Sequence, residues 1–232
     1  MQILAFDSSA LTASVALWRD GEIAAEISST NGLNHSVRLL PLIDGVLRMA
    51  DTNLESVDAF GISVGPGSFT GVRIGISTLK GLAFGTDALC VPVSTLEALA
   101  FNECNTPGII CAVMDARRGE FYNSLFSGNC DGYLNRLSDD RAITASDLLS
   151  QLNELACPVT ICGDGANLFY QYCGEHNASF EFKLSLPTRR FQRAASVACL
   201  ASQMLANGEG VSVLNLAPLY LRASGAERKR GE

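Results

Sequence analysis

Three groups of residues in this sequence have types and spacings that could do chemistry. The densest is the run Gly65-Pro66-Gly67-Ser68-Phe69-Thr70-Gly71-Val72-Arg73-Ile74-Gly75, set between an apolar strand and an apolar helix. Glycines at such a junction let backbone amides close around a phosphate. The spacing, however, is GxGxxxG, no Gly-Lys-Ser/Thr follows, and the next strand ends at Ser94 with no carboxylate to hold a ribose. Neither a P-loop nor a dinucleotide site is indicated. The structural reading is that Gly65, Pro66, Gly67 and Gly71 turn the strand sharply into the helix, and that Gly71, Gly75 and Gly81 let another helix approach closely.

The second group is Asp7-Ser8-Ser9 with Thr12 at the end of an apolar strand, echoed by Asp115 in Asp115-Ala-Arg117-Arg118-Gly119-Glu120. Aspartate and hydroxyls at a hairpin could cradle phosphates, and a plain hairpin end accommodates the same residues. The third is His35, beside Asn34 at a helix start, where capping or a surface contact is a better account than acid-base catalysis. Ser68 and Thr70 lie near glycines, but GxGSFTG is not the GxSxG elbow of a serine nucleophile. No nucleophile and base can be paired, so no catalytic residue is assigned.

The charge balance narrows the partners. With 17 Lys and Arg against 24 Asp and Glu the net charge is -7, which excludes the body of the chain as a nucleic-acid platform. Only the final RASGAERKRGE, with Arg222, Arg228, Lys229 and Arg230, is locally basic, and a mobile tail is expected there. The eight cysteines are scattered, several inside apolar runs, and no pair has CxxC spacing. Buried free thiols are expected, and no metal site. The opening MQILAFDSSA has no basic leader, and no apolar run reaches the length of a membrane span, so a cytoplasmic protein without a membrane association is predicted.

The periodicities predict strands over 2–7, 13–18 and 22–29, then a helix from Asn34 to residue 50 that is apolar on more than one face and carries Pro41, expected to kink it or reset its first turn. A strand at 59–65, a helix at 70–84, a strand at 89–93 and a helix at 95–103 follow, an alternation that means parallel strands with covering helices. The run IICAVMD at 109–115 then resembles the opening ILAFD, and FYNSLF at 121–126 repeats the returning strand, about 108 residues on. A duplicated domain is suggested. The rest is less regular: a helix near 144–155, a strand at 158–163, a turn Gly-Asp-Gly-Ala and a helix over 191–206. The boundary is placed near 105, giving subdomains 1–105 and 106–222 and a tail 223–232, with the final helix possible on the first half.

Taken in order, DSS…TASVAL, NHSVRLLPLI, VGPGSFTGVRIGISTLKGLA, PVSTLEALA, MDARRGEFY and PLYLR resemble the TsaB (YeaZ) family from residue 3 to about 222. The resemblance implies an α/β chain of the actin-like ATPase (ASKHA) fold, with two RNase H-like subdomains of mixed sheets and covering helices. It further implies a non-catalytic subunit that pairs with TsaD for transfer of a threonylcarbamoyl group to N6 of adenosine 37 in tRNAs reading ANN codons. In that fold Asp7, Ser8, Ser9, Thr12 and Asp115 stand where nucleotide phosphates would be held, but the second hairpin lacks the Gly and Thr expected close after its aspartate. Where TsaD has two metal-binding histidines this chain has Thr95 and Leu99, and leucine has no lone pair to give a metal. ATP and a metal are therefore expected on the partner subunits TsaE and TsaD, and no cofactor on this chain alone. The resemblance places the TsaD contact on the helices after Asn34 and Gly71, at His35, Leu39, Leu42, Val46, Val72, Gly75, Thr78 and Leu79, with TsaE joining through the pair, tRNA reached indirectly or through the tail, and a homodimer where TsaD is absent. The alternatives from the residues are an ATP-binding or ATP-hydrolysing actin-like enzyme and a peptidase.

Overall fold

The computed structural model describes residues 1–30, 34–128 and 133–222; Arg228, Lys229, Arg230 and Cys130 lie outside the described residues. The chain forms two compact units, one of Met1–Ala98 with Gln192–Leu219, the other of Leu99–Phe191 with the chain from Tyr220 on. The first unit thus ends before residue 105, and the expected second subdomain 106–222 is divided, because its last helix packs on the first sheet.

In the first unit β1 (Gln2–Asp7), β2 (Ala13–Arg19) and β3 (Glu22–Ser29) make an antiparallel meander, and β4 (Ala59–Gly65) and β5 (Leu89–Ser94) add parallel to β1, in the order β3-β2-β1-β4-β5. Side chains alternate across the central strand. Leu4 and Phe6 point into a core shared with α1 (His35–Met49) and α2 (Phe69–Ala83). Ala5 points the other way, beside Gly61, against Ala201 of α6 (Ala194–Ala206). Both faces are covered, which is why β1 and β4 read as unbroken apolar runs.

The second unit repeats the plan. Strand β6 (Ile109–Asp115) pairs antiparallel with β7 (Glu120–Gly128) and parallel with β10 (Val159–Cys162), which is followed by β11 (Phe182–Leu184), while β8 (Leu134–Arg136) and β9 (Arg141–Thr144) both pair with β7. The order β11-β10-β6-β7-β8 is that of the first sheet, with Asp115 closing the central strand as Asp7 does. Helices α4 (Ala145–Leu155) and α5 (Ala166–Glu175) bury Leu148, Leu152, Phe169 and Cys173 on one face of it. Helix α3 (Thr95–Phe101) links the two units along the chain.

Two local expectations need correction. Pro41 does not reset the first turn of α1, one of the two effects expected of it: the helix begins at His35 and continues through Pro41 to Met49. Among the described residues Cys90, Cys104, Cys111, Cys157, Cys162 and Cys173 are free thiols, yet of these only Cys90, Cys111, Cys162 and Cys173 are buried, and Cys157 is exposed. Burial pushes the Cys173 thiol up to about 11, far from the thiolate that reactivity requires. Among the described residues no helix is long and apolar enough to cross a membrane.

Candidate functional site

The loop between β1 and β2 and the entry to α2 form one packed unit. Asp7 is fully buried and accepts hydrogen bonds from the Ser9 amide (2.8 Å), the Ser9 hydroxyl (2.7 Å) and the Ser63 hydroxyl. The Ser9 carbonyl accepts from the Ser68 amide at 2.6 Å, and the Ser8 hydroxyl donates to the Gly71 carbonyl at 2.8 Å. Ser68, the N-cap of α2, accepts from the Gly71 amide. Thr12 is buried against Thr30, hydroxyl to hydroxyl at 3.2 Å.

The glycines explain how the pieces fit so closely. A Cβ on Gly67 would lie 2.4 Å from the Ser9 carbonyl oxygen, one on Gly71 2.0 Å from that of Ser8, and one on Gly75 2.6 Å from the Ser8 hydroxyl. Gly65, at φ +120°, would meet the Leu219 carbonyl at 2.5 Å. Gly71 and Gly75 of α2 therefore admit the chain's own Ser8-Ser9 loop in place of another helix, while beside Gly81 there is open space. The peptide bond between Gly65 and Pro66 is cis.

The fold implies nucleotide phosphates at this hairpin, and the residues present do not fit them. A phosphate at a helix start needs unengaged amides and hydroxyls. Here the Ser68 amide is held by Ser9, the Gly71 amide by Ser68, and the hydroxyls of Ser8 and Ser9 by Gly71 and Asp7. In the second unit Asp115 is capped by the amide and guanidinium of Arg117. Thr95 and Leu99, which the resemblance sets at metal-ligand positions, are no better suited to a metal, since both are fully buried and leucine carries no donor atom.

Burial pushes the Asp7 carboxyl above the ordinary carboxylate range, and the hydrogen bonds from Ser63 and Ser9, with the nearby His35, only partly offset it. The folded carboxyl thus keeps its proton to higher pH than the unfolded one. The stability this gives is complete below the unfolded value of 3.8 and is lost as pH rises through the folded value. Asp7→Asn, which cannot ionise, should therefore gain on the parent protein as pH rises above about 4 in urea unfolding. A gap that moves against the variant over that range would contradict the assignment.

His35 ties the same loop to α1. Its Nε2 lies 2.6 Å from the Ala10 carbonyl, which can only accept, so Nε2 carries the hydrogen. A side chain held in this way links the loop to α1, in place of the capping or surface contact expected from its position beside Asn34.

The eight residues assigned to a partner contact divide sharply. Leu39, Val46, Val72, Gly75 and Leu79 are buried within the first unit, and Leu42 and His35 are half-buried there. Five of the eight thus face the chain's own core, because the apolar stripe Leu39, Ile43, Val46 is the inward side of α1. The outward side holds Val37 and Leu40, 72% and 54% exposed, in line with Asp44 and Arg48. Next to it runs a groove of about 510 Å³ lined by Ser36 of α1 and by Phe69, Thr70, Arg73, Ser77 and Thr78 of α2, with Ile74. Of the eight, only Thr78 lines this groove. The spacing of Val37 and Leu40 relative to Asp44 and Arg48 was the signal that could have found this face.

Comparison with known proteins agrees with the topology. The family model for TsaD, tRNA N6-adenosine threonylcarbamoyltransferase, matches residues 23–230. The tRNA threonylcarbamoyladenosine biosynthesis protein TsaB of Bacillus subtilis is 33% identical over 99% of this chain and 97% of its own, and that of Escherichia coli 31% identical over 99% and 98%. The solved structure of YeaZ from Pseudomonas aeruginosa superimposes with a TM-score of 0.79 at 28% identity, covering 95% of this chain and 99% of that one. Two sheets of identical strand order, each with its aspartate at the end of the central strand, are the actin-like ATPase plan, and with identity that runs the length of both chains they place this protein in the TsaB (YeaZ) family of tRNA threonylcarbamoyladenosine biosynthesis proteins.

Proposed function

We propose that this chain is a non-catalytic subunit that pairs with TsaD and activates threonylcarbamoyl transfer to N6 of adenosine 37 in tRNA. The observation that carries the reading is the closed Asp7 hairpin, where the Ser9 amide and the hydroxyls of Ser8 and Ser9, with the Ser68 and Gly71 amides of the facing helix start, are already bonded within the chain. A subunit that keeps the fold but has filled its own phosphate cradle has a surface left to act with. The names of the Bacillus subtilis and Escherichia coli relatives, both tied to threonylcarbamoyladenosine biosynthesis, support the pathway, and the matching transferase model supports a partner of that class.

The pairing surface is the outward side of α1 with the groove along α2, where Val37 and Leu40 stand exposed. Exposed apolar residues beside a polar rim are the usual composition of a contact between subunits. Activation requires that this face bind the competent conformation of TsaD more tightly than the others. TsaE joins through the pair and brings ATP chemistry, TsaD holds the metal, and tRNA is reached through the assembled complex. Where TsaD is missing, the same face supports a homodimer, and the assembly works in the cytoplasm.

The test is threonylcarbamoyladenosine formation on unmodified tRNA with the same organism's TsaD, TsaE and threonylcarbamoyl-adenylate synthase, with and without this chain. Adding the chain should raise product formation about 10-fold or more, the range of a real coupling between sites. Product that forms equally well without it would refute the proposal.

A further inference from the structure

A cavity opens in the first unit at the end of the sheet remote from the Asp7 hairpin, where β4 and β5 begin and α2 finishes. Its volume is about 430 Å³, within the range of small-molecule pockets. Val57 and Phe60, both buried, and the half-buried Leu82 give it an apolar floor that is continuous with the core. Three carboxylates, Glu55, Asp58 and Asp87, stand around that floor, and among the described residues no lysine, arginine or histidine lines the cavity.

The chain does little to neutralise this charge. Among the described residues the side chains of Glu55 and Asp87 form no ion pair. Asp58 accepts from the Gln2 amide at 2.6 Å and lies 4.0 Å from the terminal ammonium, in both cases through Oδ2, which leaves Oδ1 uncommitted. The end of α2 adds to the same sign, because the last carbonyls of a helix carry partial negative charge. Leu82, in that last turn, lines the cavity, whereas Lys80, the basic residue of the turn, does not. The loop that carries Asp87 is held in place by Thr86, whose hydroxyl donates to the Ala83 carbonyl at 2.9 Å and accepts from the Ala88 amide at 3.4 Å. A loop ordered in advance lowers the entropic cost of binding.

We propose that this cavity binds a small organic amine, its ammonium group among Glu55, Asp58 and Asp87 and its alkyl or aryl body on Val57, Phe60 and Leu82. A bare cation would leave the apolar floor in water, and an uncharged apolar molecule would gain nothing from the carboxylates. An amine with an apolar body satisfies both. The site shares no residue with the groove between α1 and α2, so it stands apart from the pairing with TsaD.

The test follows the backbone amide resonances of the full chain during titration with phenethylamine, with phenethyl alcohol as the uncharged match and phenylpropanoate as the anionic one. Phenethylamine should saturate with a Kd of about 1 mM or tighter, shifting residues 54–58 and 86–88. The alcohol should bind about 5-fold more weakly, and the anion should not saturate. Glu55 and Asp87 are exposed, so Glu55→Gln combined with Asp87→Asn should leave thermal unfolding unchanged, weaken phenethylamine about 10-fold and spare the alcohol. Absence of saturation by phenethylamine, or shifts that fall elsewhere in the chain, would overturn the site. An alcohol within about twofold of the amine, or a double variant that binds the amine as the parent does, would overturn its selectivity for a cation.

Discussion

A Gly71→Ala variant should lose about 3 kcal/mol of folding free energy, the upper end of the usual cost of overpacking a close-fitted site. The added methyl would lie 2.0 Å from the Ser8 carbonyl oxygen, a backbone atom that cannot swing aside as a long side chain can. Relief requires the Ser8-Ser9 loop to lift off α2, which breaks the bonds from Ser68 to Ser9 and from Ser8 to Gly71. Against a total stability of about 5–15 kcal/mol this is a large fraction. Gly81→Ala on the same helix is the control, because nothing lies within 4 Å of its Cβ and alanine favours a helix interior by about 1 kcal/mol. Urea unfolding of the two variants should move the midpoint in opposite directions. Equal small shifts would mean that the loop and helix are not packed as described.

Adjacent leucines on α1 should separate pairing from folding. Leu40→Glu, at an exposed position, is expected to leave the unfolding midpoint nearly unchanged and to weaken the complex with TsaD about 100-fold, the size of effect found for a central contact of an interface. Leu39→Ala removes a side chain that is 1% exposed among Leu4, Phe6, Ile43 and Val46, and should cost about 2–5 kcal/mol of stability. Its complex with TsaD should weaken only as far as the folded fraction falls. Titration of TsaD with each variant, alongside thermal unfolding, checks both. A Leu40→Glu variant that still activates normally would move the pairing surface off this face.

Much of the architecture was readable because the central strands are covered on both sides. Ile3 to Phe6 and Ile109 to Met114 must then be apolar throughout, and the two aspartates that close them stand out. The parts that escaped are those where tertiary contacts supply what local preference lacks. α5 is built from aromatic and polar residues of modest helix propensity and depends on Phe169 and Cys173 reaching the second core. β8, β9 and β11 are three or four residues long, too short for an alternation to show.

At the candidate site the residues named for a partner contact lie on α1 and α2, and five of the eight turn out to be buried in the chain's own core. The glycines of α2 announce a close approach, but nothing in their spacing says whether the approaching segment is a partner helix or, as found, the loop at Ser8 and Ser9. For α1 the direction was recoverable: Leu39, Ile43 and Val46 share one stripe, and the ion pair of Asp44 with Arg48 marks the opposite one. Ser63 as a partner of Asp7 was not recoverable, since the two meet only through the parallel pairing of β1 with β4.

The return of Gln192–Leu219 to the first sheet sets the order in which the molecule can be completed on the ribosome. Leu99–Phe191, the bulk of the second unit, is a continuous stretch and can close as soon as it emerges. The first unit, although its strands are made first, must wait for α6, which covers β1, β2 and β4 with residues made well over a hundred positions later. Until then Ala5 and Gly61 have no cover on that face, so a nascent chain holds its earliest strands half-dressed for most of its synthesis.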